Sequence, residues 1–183
     1  MKNENLVWKS LETGYALDTK WLKVRKERVE LPNGKILDDF FTVEGSDLIA
    51  ILAIDDSDNV FLVKQYRHAV ADVTVDLPGG GIEKGETHID AAMRELGEET
   101  GMVAGNMEKL VTYYPDSGRT ACTKHIFFAK DLSKDTSGRY TQDESEDIRL
   151  VKMPLQKVLE GMQNGEIKES TLFVAMGAYL NKK

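Results

Sequence analysis

Two short apolar runs constrain the fold of this chain more than any other feature of its sequence. Asp47 to Ile54 and Val60 to Tyr66 are dominated by aliphatic residues, and the polar segment 55–59 joins them. Runs of this length and composition predict buried core strands. The chain has 183 residues, 41% of them hydrophobic, which is enough for one ordinary globular domain with a sizeable core.

Apolar and polar positions alternate before these runs, from about Val7 to Glu44. Trp21 to Leu31 and Lys35 to Val43 flank the turn sequence Pro32-Asn33-Gly34, which predicts a β-hairpin. We therefore expect an N-terminal region of antiparallel strands over residues 1–45 and a main domain over residues 46–183.

The rest of the chain mixes both periodicities. Short strands are predicted at Val73–Leu77, Leu110–Tyr114, His125–Ala129 and Ile148–Met153, and helices at Thr87–Gly101, Leu155–Asn164 and Ser170–Leu180. Strands dominate and the helices come late, so the pattern predicts the α+β class or a mixed α/β sandwich.

The first predicted helix has recognisable ends. Thr87 with Asp90 resembles a capping box, and Gly101 is a suitable stop. At helical spacing, one face is predicted to carry the core residues Ile89, Ala92, Met93 and Leu96.

The same helix carries three carboxylates in a sector separate from that apolar face. Glu95, Glu98 and Glu99 lie within one turn of each other and near the end of the helix. Like charges at this spacing cost about 0.2–0.5 kcal/mol per pair, and the helix dipole disfavours anions at that end. A divalent cation would remove both penalties, and such oxygen ligands suit Mg²⁺ or Mn²⁺ rather than Zn²⁺. The alternative is a solvated acidic face, and the cluster alone leaves both interpretations open.

Charge, cysteine content and hydropathy argue against nucleic-acid-binding, disulfide-bonded and membrane-spanning classes of protein. The net charge of -7 argues against a nucleic-acid backbone as the main partner. The single cysteine, Cys122, cannot form an internal disulfide and fits a reducing compartment. No apolar run approaches the ~20 residues that span a membrane, and the polar start of the chain lacks the features of a signal peptide. We expect a cytoplasmic protein with no membrane partner.

The segment from Gly80 to Met102 resembles a complete Nudix box. Gly80 is followed after five residues by Glu86, and after seven more by Arg94-Glu95-Leu96-Gly97-Glu98-Glu99-Thr100-Gly101-Met102. The family pattern is G-x5-E-x7-R-E-U-x-E-E-x-G-U, where U is apolar, and every specified position is met.

The resemblance implies a fold and a metal centre. The fold would be an α/β/α sandwich around a mixed β-sheet. The metal ligands, for Mg²⁺ with Mn²⁺ as a substitute, would be Glu95, Glu98, Glu99 and the backbone carbonyl of Gly79. Glu86 and Arg94 would orient these carboxylates as a second layer around the metal.

The sequence around the box is similar to the ADP-ribose pyrophosphatase group. That group often has Q-Y-R, as in Gln65-Tyr66-Arg67, and then E-x-P-A-G, which corresponds here to Asp76-Leu77-Pro78-Gly79-Gly80. Asp76 in place of Glu, and Gly79 in place of Ala, depart from the group pattern. Both departures bear on substrate preference rather than on the chemistry.

The resemblance also implies a reaction and further roles. A small-molecule nucleoside diphosphate sugar such as ADP-ribose would be cut at its pyrophosphate bond, giving a nucleoside monophosphate and a sugar phosphate. Glu144, with Glu146 second, would be the base that acts beside the catalytic Glu98 and Glu99, whereas a solvated acidic turn is the alternative for this run. Arg67 and Arg119 would contact substrate.

The N-terminal strands of that group often pack across a homodimer. Trp8, Trp21 and Phe40 are therefore expected in core or interface packing rather than in stacking on a base. The three histidines, His68, His88 and His125, show no metal-ligand spacing along the chain.

Other functions remain open at this point. One is a nucleotide-sugar hydrolase that prefers GDP-mannose, and another is a non-catalytic ADP-ribose-binding module. An isoprenoid isomerase shares the fold, but the sequence offers no support for it.

Overall fold

The computed structural model describes residues 6–140 and 147–182. Within those ranges the chain forms the strands β1 (Lys9–Asp18), β2 (Lys23–Glu30), β3 (Ile36–Glu44), β4 (Leu48–Ile54), β5 (Asn59–Arg67), β6 (Asp72–Asp76), β7 (Met102–Tyr113), β8 (Thr120–Ala121), β9 (Lys124–Lys134) and β10 (Ile148–Pro154), and the helices α1 (His88–Thr100), α2 (Leu155–Asn164) and α3 (Ser170–Leu180). The predicted elements are confirmed. β7 begins eight residues before its predicted start, and β8 was not predicted.

The chain divides into two compact units. The N-terminal unit comprises Met1–Ser46 with Tyr114–Cys122, and the main unit comprises Asp47–Tyr113 with Thr123–Lys183. The division expected from the sequence, between residues 45 and 46, would place Tyr114–Cys122 in the main domain. In the structure this segment joins the N-terminal unit through β8, which pairs in parallel with β3.

In the N-terminal unit the described residues form a sheet of order β1-β2-β3-β8. The predicted hairpin joins β2 to β3. Gly34 takes a left-handed φ of 82°, and its N–H donates to the carbonyl of Leu31 at 2.9 Å. Glycine adopts this backbone conformation without steric cost, which explains the turn sequence.

In the main unit the described strands form a mixed sheet of order β10-β5-β4-β9-β7, and β6 pairs with β5. β4 and β9 are parallel, and the other pairs are antiparallel. The sheet is therefore mixed, as expected.

Helices cover both faces of this sheet. Side chains of β4 alternate between two hydrophobic clusters because successive residues of a strand point to opposite faces. Ala50, Leu52 and Ile54 pack with residues of α2 and α3, among them Val158, Leu172 and Met176. Ile49, Ile51 and Ala53 pack with Ala91, Ala92 and Leu96 of α1. The α/β/α sandwich is confirmed.

Candidate functional site

Helix α1 begins and ends at the predicted residues. Thr87 is the N-cap, and its hydroxyl accepts a hydrogen bond from the N–H of Asp90 at 3.3 Å. Gly101 ends the helix in the left-handed conformation with a φ of 66°, and its N–H donates to Gly97. The ends are determined by local sequence and place the acidic turns between them.

The face of α1 that packs on the sheet carries Ala92 and Leu96, as predicted, but not Ile89. Ile89 is 43% exposed, whereas Glu95 is buried at 8%. The predicted separation of Glu95 from the core face is therefore wrong. The small residues Ala91 and Ala92 face the sheet. Glu95 lies between them around the helix axis and is therefore turned inward with them.

A glycine turn leads into this helix and lies against β4. The carbonyls of Pro78 and Gly80 accept hydrogen bonds from the N–H groups of Ile51 and Ile49, both at 2.8 Å. Between them, the N–H of Gly79 donates to Glu99 Oε2 at 2.7 Å. The turn is therefore bound to the sheet on one side and to the acidic helix on the other.

Neither Gly79 nor Gly80 leaves room for a larger residue. Gly79 has a φ of 153°, and a Cβ built on it would lie 2.1 Å from the carbonyl oxygen of Ile49. At Gly80 a Cβ would lie 2.5 Å from Glu95 Oε1. The alanine common at the position of Gly79 in the ADP-ribose pyrophosphatase group does not fit this backbone.

Arg94 donates hydrogen bonds to several of the acidic residues on and before α1. Its Nε and Nη2 donate to the two oxygens of Glu86, at 3.0 and 3.1 Å. Its Nη1 donates to Glu95 Oε1 at 2.8 Å and to Glu98 Oε2 at 2.9 Å. We call Glu86, Glu95, Glu98 and Glu99 the carboxylate cluster. Arg94 donates to three of these four carboxylates, and its single positive charge leaves the cluster with an excess of negative charge.

These contacts shift the pKa values of both partners. The hydrogen bond from Arg94 lowers the pKa of Glu86, and burial only partly opposes it. Hydrogen bonds to Glu86, and then to Glu95 and Glu98, raise the pKa of Arg94. Both groups therefore stay charged at neutral pH. Arg94 also donates to the carbonyl of Gly81 at 2.9 Å, a contact that the sequence did not indicate.

The donor set of the cluster fits a hard divalent cation. Glu95, Glu98 and Glu99 offer carboxylate oxygens on adjacent turns of α1, and the Glu98 side chain is 30% exposed. Oxygen ligands of this kind are those that Mg²⁺ and Mn²⁺ prefer. A cleft of about 570 Å³ opens beside Glu98 and Arg94, and Arg139 and Tyr140 also line it. That volume is typical of small-molecule sites.

The other predicted site residues lie elsewhere. Arg67 is exposed at the end of β5 in the main unit. Arg119 belongs to the N-terminal unit, where its guanidinium lies 5.8 Å from the ring centre of Phe40. Glu144 and Glu146 lie outside the described residues.

Family comparisons match both parts of the chain. A profile of the NUDIX domain matches residues 47–171. The chain belongs to the Nudix family. A second profile, the nucleoside diphosphate sugar hydrolase N-terminal domain, matches residues 8–43 of this Nudix hydrolase.

Two curated relatives cover most of this Nudix hydrolase. It is 33% identical over 157 residues to an ADP-ribose pyrophosphatase of Bacillus subtilis. The alignment covers 86% of this chain and 83% of the relative. It is 30% identical over 168 residues to a methanol dehydrogenase activator of Bacillus methanolicus, with 92% and 90% covered. Relatives of similar identity thus carry different names.

A structural neighbour confirms the Nudix fold. A crystal structure of an ADP compounds hydrolase aligns with a TM-score of 0.82 and 20% sequence identity, covering 95% of this chain and 92% of that one. Among the described residues, no helix is long and apolar enough to cross a membrane.

Proposed function

We propose that this Nudix hydrolase cuts the pyrophosphate bond of ADP-ribose or a related nucleoside diphosphate sugar in a Mg²⁺-dependent reaction. The products are a nucleoside monophosphate and a sugar phosphate. The observation that carries the proposal is the carboxylate cluster around Arg94, in a chain that also matches a nucleoside diphosphate sugar hydrolase N-terminal domain.

Glu95, Glu98, Glu99 and the carbonyl of Gly79 are the proposed metal ligands. Bound Mg²⁺, for which Mn²⁺ can substitute, would neutralise the phosphate charges and would lower the pKa of a bound water molecule. The half-buried Arg94 holds Glu95 and Glu98 in place, and Glu86 holds Arg94. The N–H of Gly79 orients Glu99.

The remaining roles follow the family resemblance. Arg67 and Arg119 contact the anionic substrate, and both are exposed cations. Glu144, with Glu146 second, takes the proton from the attacking water beside Glu98 and Glu99. A base with this task must come within hydrogen-bond reach of that water.

The test is phosphate release from a panel of nucleoside diphosphate sugars, with Mg²⁺ and a coupled phosphatase. ADP-ribose is expected to be turned over fastest. Preference for GDP-mannose would retain the pyrophosphatase chemistry and reject the ADP-ribose assignment. Binding of ADP-ribose without turnover of any compound would instead identify a binding module.

The role of the cluster is tested with Glu98→Gln. Turnover is expected to fall at least about a hundredfold, which corresponds to a loss of about 3 kcal/mol of transition-state stabilisation. Glu108→Gln is the matched control because Glu108 is exposed on β7 and forms a 3.7 Å ion pair with the exposed Lys182. Near-normal turnover of the Glu98 variant would remove that residue from the mechanism.

We further propose that the enzyme works as a homodimer in the cytoplasm. The lone cysteine fits a reducing compartment. Exposed apolar side chains of the N-terminal unit support dimerisation. They include Trp8, Tyr15, Leu17, Trp21 and Leu22.

A further inference from the structure

Two histidines and an aspartate from distant parts of the sequence meet in the main unit. One ligand atom from each of Asp47, His88 and His125 lies within 4.8 Å of the others. His88 is the first residue of α1, seven residues before Glu95, which is about 10 Å along the helix axis. The group therefore shares no residue with the carboxylate cluster and lies apart from its helical members Glu95, Glu98 and Glu99.

His125 is buried and held by contacts at both ring nitrogens. It lies on β9, is 7% exposed, and its Nδ1 is 3.1 Å from the hydroxyl oxygen of Thr112, its register partner on β7. Its Nε2 is 3.5 Å from Asp47 Oδ2. A hydrogen bond at one nitrogen orients the ring so that the other can bind a metal, as in many protein metal sites.

Asp47 is oriented in a similar way. It immediately precedes β4, and its Oδ1 accepts a hydrogen bond from the N–H of Thr123 at 2.9 Å. Its Oδ2 is the oxygen that faces His125. Two of the three donors are thus placed by neighbouring backbone and hydroxyl groups before any ion arrives.

His88 supplies the adjustable donor. Its side chain is exposed, and its ring stacks on that of His125 with centroids 4.2 Å apart and planes at 26°. Imidazole lone pairs lie in the plane of the ring, and the planes of stacked rings run side by side, so His88 must turn about its side-chain bonds to share an ion with His125. Its exposed position at the first turn of α1 permits that rotation.

We propose that Asp47, His88 and His125 form a binding site for a transition-metal ion of the Zn²⁺ class, separate from the proposed Mg²⁺ site. Two imidazoles and one carboxylate suit Zn²⁺, Co²⁺ or Ni²⁺, whereas Mg²⁺ prefers oxygen ligands alone. The bound ion connects the start of α1 to the starts of β4 and β9. The proposal does not depend on the identity of the substrate.

Co²⁺ is the probe because its visible absorption reports nitrogen ligation. The full-length protein is titrated with Co²⁺ in excess Mg²⁺, which occupies oxygen-ligand sites. We compare wild type, His88→Ala, and the matched control His68→Ala, whose histidine is exposed and outside the group. One Co²⁺ per chain is expected for wild type and for the control, with at least a tenfold weaker affinity for His88→Ala.

Thermal unfolding with Zn²⁺ and Co²⁺ binding by a variant of the carboxylate cluster test the same site independently. Zn²⁺ is expected to displace Co²⁺ and to raise the unfolding temperature of wild type but not of His88→Ala, because a ligand stabilises the state that binds it. Glu98→Gln is expected to bind Co²⁺ as wild type does. Equal affinity of wild type and His88→Ala, or loss of binding in Glu98→Gln alone, would overturn the proposal. Absence of Co²⁺ binding to wild type would do the same and would identify the histidine pair as packing.

Discussion

Asp76 is a buried carboxyl group at the end of β6, immediately before the glycine turn. It is 8% exposed, and its Oδ1 accepts a hydrogen bond from the N–H of Leu77 at 2.8 Å. Burial raises the pKa of Asp76 to about 6, although the Leu77 hydrogen bond opposes the rise. The folded chain therefore binds this proton more tightly than the unfolded chain does.

This difference predicts a pH-dependent cost to stability. Below the ordinary pKa of 3.8 both states hold the proton, and between that value and about 6 only the folded state does. Stability therefore falls as pH rises through this interval and stays lowered above it, by about 3 kcal/mol in total. Asp76→Asn is expected to remove this loss, since the amide oxygen can still accept the Leu77 hydrogen bond.

The measurement is urea unfolding of wild type and Asp76→Asn at pH values from 4 to 7. The advantage of the variant is expected to be small near pH 4 and to grow until about pH 6. Asp72→Asn, at the exposed start of β6 with a 3.5 Å ion pair to Lys168, serves as the control. A difference between wild type and Asp76→Asn that does not change with pH contradicts the prediction.

The backbone at position 79 has no room for a side chain, so this position requires glycine. Gly79→Ala would place a methyl group 2.1 Å from the Ile49 carbonyl oxygen and 2.8 Å from Ala50 Cα, both of them backbone atoms of β4. Overpacking and strain of this kind predict a loss of about 2–4 kcal/mol in the free energy of unfolding. Urea unfolding measures it, with Gly14→Ala as the control because nothing lies within 4 Å of its added Cβ. A loss below about 0.5 kcal/mol, the usual range of surface substitutions, would show that the turn relaxes.

At the scale of elements, α1 carries a second steric requirement at Gly97, which is also buried. A Cβ on Gly97 would lie 2.3 Å from Tyr140 Cδ2, so the tyrosine ring packs directly on the helix backbone. Tyr140 also lines the cleft beside Glu98 and Arg94. The absence of a side chain at Gly97 therefore shapes one wall of that cleft.

Gly97→Ala is expected to destabilise the protein by about 1–3 kcal/mol although alanine favours helices, because the ring must move. Gly177→Ala on α3 is the matched control, since nothing lies within 4 Å of its added Cβ. There the helix preference acts alone and is expected to stabilise by up to about 1 kcal/mol. Thermal and urea unfolding of the two variants should thus shift in opposite directions, and a stabilised Gly97→Ala would refute the steric argument.

At the scale of the whole molecule, the N-terminal unit exposes unusual apolar surface. Trp21 is 86% exposed, and the Lys20 ammonium lies 4.6 Å from the centre of its ring. Trp8 is 44% exposed and packs edge-to-face on Phe40. Exposed aromatic side chains of this size are candidates for burial at an interaction surface.

The proposed homodimer is therefore expected to depend on this surface. Wild type should have the mass of a dimer in light scattering, and Trp21→Glu should shift the population towards monomer. Phe173→Glu on α3, where the phenylalanine is 43% exposed in the main unit, controls for the loss of any exposed aromatic. A monomeric wild type, or a Trp21→Glu variant that remains as dimeric as the control, would reject the proposal.

The local sequence determined the elements and the composition of the main site. Thr87 and Gly101 delimit α1, Pro32-Asn33-Gly34 forms the hairpin turn, and α2 and α3 have their predicted bounds. These features depend on residues a few positions apart, so periodicity and turn chemistry suffice to predict them. The spacing of the Nudix box likewise brings Glu95, Glu98 and Glu99 together because these three residues share one helix.

Tertiary structure decided what depends on residues far apart in the sequence. Whether Ile89 or Glu95 faces the sheet follows from how α1 packs, since few apolar residues on this helix distinguish one face from another. The parallel pairing of β4 with β9 brings Asp47 beside His125, 78 positions away, and the start of α1 adds His88. The pairing of β8 with β3 similarly joins segments about 75 residues apart. Such contacts arise when a sheet closes around its core, and no local pattern in the chain encodes them.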